Sequence, residues 1–227
     1  MSNGKTGTAL IIGAGSGLSA SLARKFAARG NRVVLAARNP ADLSALAEET
    51  GATCVACNAR DRGDMQRLFD GIDGDLDVAI YNPSARVRGP INELDAAAAE
   101  DAVLGTSYCA FLMAQHAARR MLPKGKGALL FTGASAGVKG FPNSSVFAMG
   151  KFALRGLCLA LARELHPQGI HVGHFVIDGG IATAETDNSQ ESRLDPDAIA
   201  DSYLHFLDQP RSSWAWEIEL RPWVERF

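Results

Sequence analysis

The 227-residue sequence predicts an α/β fold: a single doubly wound parallel sheet of about seven strands with helices on both faces. Three observations carry this. Short β-rich runs alternate with longer helical ones along nearly the whole chain. The inner β-rich runs VVLAA, VAI and ALLF are apolar without alternation, as strands covered on both faces are. A glycine cluster follows the first β-rich run and opens the first helical one. There is no internal repeat and no long low-complexity linker. Residues 1–227 therefore read as a single domain, large enough to bury one sizeable core.

The elements follow in order. TALII predicts a strand over Thr8–Ile12, which runs into the glycines. A helix over Leu18–Arg29 ends at Gly30, a residue suited to a C-terminal cap. A strand over Arg32–Ala36 precedes a helix over Pro40–Thr50, with proline in its first turn and Gly51 as its stop. A strand over Thr53–Ala56, a helix over Arg62–Asp70 and a strand over Asp77–Tyr81 come next. A long helix is expected over Leu94–Met121, then a strand over Ala128–Thr132 and a helix over Ser145–Leu165. A strand over His171–Ile177, a helix over Pro196–Leu207 and a late strand over Glu217–Leu220 complete the set. Between the last two strands, residues 184–195 are polar and read as a short surface loop on the substrate side.

The chain is 47% hydrophobic and 21% charged with net charge −2, so no basic surface points to nucleic acid or a membrane. The N-terminal MSNGKTGTALII lacks a signal-peptide pattern, and no apolar run approaches the roughly 20 residues of a membrane span. A cytoplasmic protein is expected. Cys54 and Cys57 form a CxxC, but in a buried strand residues three apart point to opposite faces. No second CxxC or histidine pair completes a metal site, so no metal is expected.

Glycines at 13, 15 and 17 in LIIGAGSGLS permit a tight turn and let backbone N–H groups approach a pyrophosphate at a helix N-terminus. The second strand then ends VVLAARN. Where an acid would take the ribose 2′-hydroxyl of NAD, this chain offers Ala37 and Arg38. A guanidinium matches a 2′-phosphate, which favours NADP over NAD; the alternative is an ordinary solvated arginine.

These features resemble the short-chain dehydrogenase/reductase family over almost the whole chain. The spacing Gly13-xxx-Gly17-x-Ser19 is similar to its TGxxxGxG motif, with serine for the last glycine. Tyr81-Asn82-Pro83-Ser84 resembles its NNAG, and Asp178-Gly179-Gly180-Ile181-Ala182-Thr183 its PGxxxT. Asn58 stands where the family's third strand ends on an adenine-contacting aspartate. The resemblance implies a Rossmann-type NADP-binding domain. Gly13, Gly15, Ser16, Gly17 and Leu18 would hold the pyrophosphate, and Asn58 and Ala59 the adenine end. Asn82, Pro83 and Ser84 would line the middle, Lys151 would bond the nicotinamide ribose, and Gly179, Ile181 and Thr183 would hold the carboxamide.

The family's reacting set departs here. It uses a tyrosine that protonates the substrate oxygen, a lysine that lowers the tyrosine's pKa, a serine and an asparagine. Aligning FTGASAGVKGFPNSSVFAMGK keeps Lys151 but puts Phe147 at the tyrosine and Ala134 at the serine, with Ser135 one residue later. Thr106 falls at the asparagine. Phenylalanine has no proton to give. Losing a general acid costs roughly 10²- to 10⁴-fold, whereas orienting hydride donor and acceptor still supplies roughly 7–11 kcal/mol. Ser135, Ser144, Ser145, Tyr81 or an ordered water are candidate substitutes. The leading reading is an NADPH-dependent oxidoreductase of a small carbonyl or alcohol with an atypical proton donor. The alternative is a catalytically silent NADP-binding module, a sensor or a structural partner subunit.

Arg86, Arg88 and Lys139 flank loops at the expected pocket: if they converge they favour an anionic substrate, and otherwise they are ordinary solvated side chains. Phe141 and Phe147 suggest an apolar floor. GLCLALARELHPQGIHV resembles the family's interface helix and following strand, which implies a homodimer or homotetramer. Trp214, Trp216 and Trp223 are candidates to bury against the partner.

Overall fold

The computed structural model describes residues 7–225. Its strands are β1 (Thr8–Ile12), β2 (Arg32–Ala37), β3 (Thr53–Ala56), β4 (Leu76–Tyr81), β5 (Gly127–Thr132), β6 (Ile170–Ile177) and β7 (Glu217–Leu220). They form one seven-stranded sheet in the order β3-β2-β1-β4-β5-β6-β7, with every neighbouring pair parallel. The helices are α1 (Leu18–Ala28), α2 (Ser44–Thr50), α3 (Arg62–Asp70), α4 (Ala96–Val103), α5 (Cys109–Met121), α6 (Ser145–Leu165) and α7 (Pro196–Leu207). Strand order reverses between β1 and β4, which opens a crevice at their C-terminal ends.

The apolar strands are explained by two cores, one on each face. Ala9 and Ile11 of β1 pack with Leu22 and Phe26 of α1 and Tyr203 and Phe206 of α7. Leu10 and Ile12 belong to the opposite core, with Met65 and Phe69 of α3, Met113 of α5 and Leu154 of α6. Cys54 leans on the first core and Cys57 lies in the second, and both thiols are free. Gly51 ends α2 at φ 67° and Gly30 follows α1 at φ 89°, left-handed backbone that favours glycine. Side chains of Asp61, Asp95 and Asp195 accept the backbone N–H of Asp64, Ala98 and Asp197, capping α3, α4 and α7.

The long helix expected over Leu94–Met121 is interrupted. Between α4 and α5, Leu104–Tyr108 forms a π turn, in which the Cys109 N–H bonds the Leu104 carbonyl. That frees the Gly105 carbonyl, which accepts the Tyr81 hydroxyl at 2.5 Å. Thr106 and Ser107 also donate back to the carbonyls of Ala102 and Val103. The segment at Pro40 likewise starts as a tight 3₁₀ turn, Pro40–Leu43, before α2. Two of the three tryptophans are used within the chain. Trp214 stacks on His171 at 4.3 Å and Trp216 packs against the core beside Arg155, whereas Trp223 is 79% exposed. The helical segment Ser145–Gln168 is long and apolar enough to cross a membrane, with mean hydropathy 1.5. Its Leu154, Cys158, Ala162 and Leu165 cover the sheet.

Gly173 in β6 exposes the tightness of this packing: a Cβ there would stand 2.6 Å from the Phe206 ring and 3.0 Å from Leu130 Cδ2. Gly173→Ala is expected to destabilise by roughly 1–3 kcal/mol through overpacking. A lower denaturation midpoint at unchanged slope would show it, and an unchanged midpoint would refute it.

Candidate active site

The C-terminal ends of the strands open onto two cavities, of about 590 and about 820 Å³, which share Asn82 and Ser84 in their walls. The first is lined by Gly13, Ala14, Arg38, Asn58, Ala59 and Pro83. The second is lined by Ala134, Ser135, Phe147, Lys151, Gly179 and Ile181. One elongated cleft thus crosses the switch point, with the glycine turn and the Phe147–Lys151 segment on its two halves.

At the first half, Gly13 turns at φ 79°, and a Cβ there would come 2.6 Å from Pro83 Cγ. No atom would meet a Cβ at Gly15 or Gly17. Unlike the aspartate-capped helices, α1 starts at Gly17 with no side-chain cap and no acid in its first turn. Bare backbone, open space and the positive end of a helix dipole fit a pyrophosphate. Gly15, Ser16, Gly17 and Leu18 lie outside the lining of this cavity; Ser16 and Gly17 are exposed, and Leu18 buries its side chain in the core, leaving only backbone for a ligand. Ser19, in the family's last glycine position, donates to the Gly13 carbonyl at 3.1 Å and accepts from Asn82 Nδ2 at 2.7 Å. The serine therefore ties the turn to the end of β4. Arg38 is exposed on the wall of this half, and Asn58 Oδ1 accepts the Arg60 N–H at 3.2 Å. Arg60 and Asp101, paired at 2.6 Å, complete that wall. Sequence reasoning missed them because the pair joins the turn before α3 to α4, 41 residues apart.

At the second half, Lys151 is fully buried and its Nζ donates to the Thr132 carbonyl at 2.8 Å. Burial, reinforced by the Arg86 guanidinium, lowers its pKa to about 7. Phe147 is buried with Ala134 and Ala136 and holds its ring centre 5.9 Å from Lys151 Nζ. Arg86 Cζ lies 4.8 Å from the same ring centre. Ser135 and Ser144 line the cavity; Ser145 Oγ is buried outside it without a hydrogen-bond partner.

Two candidates are not free to act. Tyr81 is fully buried, gives its hydroxyl to Gly105 and has its pKa pushed up by burial, so it is no ready acid. Thr106, at the asparagine position, donates to Ala102 and packs on Gly150 away from both cavities. Thr183 is also placed differently from the expectation. It is exposed, outside the cavity lining, with its hydroxyl bonded to Thr186 at 2.9 Å, whereas Gly179 and Ile181 do line the wall.

The basic loop residues do converge. Arg86, Arg88 and Lys139 all line the second half, where Lys139 pairs with buried Asp178 at 3.2 Å. Residues 184–195 fold back on Gly180 through the Leu194 N–H at 2.9 Å. This return adds Arg193 to the cavity wall, a residue that its place in a polar loop did not single out. Behind the wall, His174 bonds Glu217 at 2.9 Å, and its other nitrogen, unpartnered, fills the space a Cβ on Gly133 would occupy.

The short chain dehydrogenase profile matches residues 7–194. An uncharacterized oxidoreductase of Staphylococcus aureus is 26% identical over 227 residues, covering 94% of this chain and 96% of its own. A short-chain dehydrogenase from Rhodopseudomonas palustris has a crystal structure with TM-score 0.84 and 32% identity, covering 96% of this chain and 99% of its own. A metagenomic short-chain oxidoreductase solved in complex with NADP matches at TM-score 0.83 and 23% identity, with 96% and 97% coverage, a likeness of fold. The glycine turn, the parallel strand order and the match over most of its length place this chain in the short-chain dehydrogenase family.

Proposed function

We propose that this protein is an NADP(H)-dependent oxidoreductase that interconverts a small carbonyl compound and its alcohol, with Lys151 giving and taking the proton. The carrying observation is a buried ammonium with a pKa near 7, beside a ring that has no hydroxyl. When bound, a reduced nicotinamide supplies hydride to the carbonyl carbon. Lys151 as ammonium gives its proton to the carbonyl oxygen, is left as a neutral amine, and regains a proton from solvent. In the reverse direction the amine takes the alcohol proton. The hydroxyls of Ser135 and Ser144 are far weaker acids and the arginines stay charged, so neither matches this role.

The pH dependence follows from charge. Lys151 responds to Arg86, Cys158 and His174, with burial the largest influence. Above about pH 7 the amine is neutral, so carbonyl reduction is expected to fall while alcohol oxidation rises. Lys151→Met is expected to cost roughly 10²- to 10⁴-fold in reduction rate and to remove the pH step. Pre-steady-state NADPH oxidation across pH would read this, and a profile unchanged in the variant would assign the proton elsewhere. Nicotinamide fluorescence enhancement without oxidation across a broad carbonyl panel would instead favour the silent module.

Arg38 supports the choice of NADP, because a guanidinium on the wall of the first half suits a 2′-phosphate. Arg38→Ala is expected to weaken NADPH roughly 10- to 100-fold with little change for NADH, measured by fluorescence titration. Equal weakening of both would sink the assignment.

A homo-oligomer is supported by an apolar face on neighbouring helical segments. Met149, Phe152 and Leu159 of α6 are exposed, as are Leu104 and Phe111 of the α4–α5 segment. Light scattering is expected to give a dimer or tetramer that Phe152→Glu with Leu159→Glu dissociates. A wild-type monomer at micromolar concentration would overturn this.

A further inference from the structure

We propose that the substrate is a small carbonyl compound bearing a carboxylate, and that Arg86 is the residue that selects it. The inference rests on the oxidoreductase reading above and narrows its substrate class.

Three guanidiniums, those of Arg86, Arg88 and Arg193, line the same half of the cleft as Lys151. None of them makes an ion pair with a described residue. The other charges at the wall are largely matched: Lys139 is held by Asp178, which Arg221 also approaches at 3.9 Å. Glu225, at the rim, is the remaining carboxylate in the lining. The unbalanced charge is therefore positive, and it is carried by three exposed arginines on the solvent side of a partly apolar cavity.

Arg86 is the best placed of the three. Its guanidinium rests on the face of Phe147, 4.8 Å from the ring centre, which holds the fork in place and keeps its N–H groups for a ligand. Lys151 Nζ addresses the same ring at 5.9 Å. The two cations cannot lie farther apart than those two distances laid end to end. A molecule whose carbonyl oxygen meets Lys151 can thus place a carboxylate at Arg86 across a short spacer. Phe141, Ile177 and Ile181 provide apolar contact for that spacer. A guanidinium accepts a planar carboxylate through two parallel hydrogen bonds, a geometry that a neutral ester does not reproduce.

The test compares pyruvate, acetoacetate and levulinate, each against its methyl ester. Binding is measured by calorimetry on the protein saturated with NADP⁺, and turnover separately with NADPH. At least one acid is expected to bind at least about tenfold more tightly than its ester, and Arg86→Gln is expected to bring that ratio close to one. Equal binding of acid and ester, undetectable binding of all three acids, or a ratio that survives in Arg86→Gln would overturn the proposal. So would a loss of NADP⁺ affinity in the variant as large as the loss of acid affinity, since that assigns Arg86 to the dinucleotide. Because the ratio is read from binding, it stands apart from the oxidoreductase reading, which fails if no acid and no ester is ever reduced.

Discussion

The position of β1 between β2 and β4 is the constraint on which the rest of this molecule depends. Parallel strands leave all their C-terminal ends on one side, and the connections run away from β1 in opposite directions. A gap must open there, and the chain must turn sharply out of β1 into α1. Gly13 makes that turn with Pro83 from the end of β4 packed against it, at a distance that excludes any side chain. Ser19 and Asn82 then fasten the two sides together through the Gly13 carbonyl. The start of α1 that follows this turn carries no side-chain cap.

The second half of the cleft places a buried lysine beside a phenylalanine. With a phenol beside it, a lysine ammonium acts by lowering the phenol's pKa. With Phe147 there, the ammonium meets a hydrocarbon ring and the carbonyl of Thr132, and desolvation lowers its own pKa instead. The lysine thus approaches the range in which a group can both give and take a proton near neutrality. The neighbouring replacements agree with this shift. Ala134 adds to the apolar cluster around Phe147, and the Thr106 hydroxyl donates to Ala102 while accepting the Ala85 N–H. Tyr81, the one phenol in the lining of the dinucleotide half, is tied to the π turn and stabilises the bend between α4 and α5.

Much of the fold was legible because its signals are local. Continuous apolar runs, glycine stops and aspartate caps act over a few residues, and the seven strands fall within a residue or so of where those signals put them. The π turn at Leu104–Tyr108 was not legible. It exists because a carbonyl of that helix accepts a hydroxyl from β4, a contact 24 residues away in the chain. The CxxC was legible as structural, but β3 is a half-exposed edge strand and not the buried one expected: Cys54 is partly buried, and Cys57, one residue past the strand, lies in the opposite core. The site divides in the same way. Gly13, Arg38 and Asn82 follow directly on strand ends and line the cleft there, whereas Lys151, inside α6, was readable only through the family resemblance. Arg60, Asp101 and Arg193 reach the cleft only through long-range folding, and Thr183 turns toward Thr186 because its loop closes on itself.

By itself the sequence determined a doubly wound parallel sheet, a glycine turn at the end of its first strand, and a lysine four residues after a phenylalanine. These depend on backbone periodicity and on which atoms each side chain carries. Tertiary structure alone decided what surrounds that lysine. Its burial, the guanidinium over the ring of Phe147, and the meeting in one cavity of three arginines with no ion pair among the described residues all arise from segments far apart in the chain. Desolvation and charge act through space over a few ångströms, and distance along a sequence does not record them.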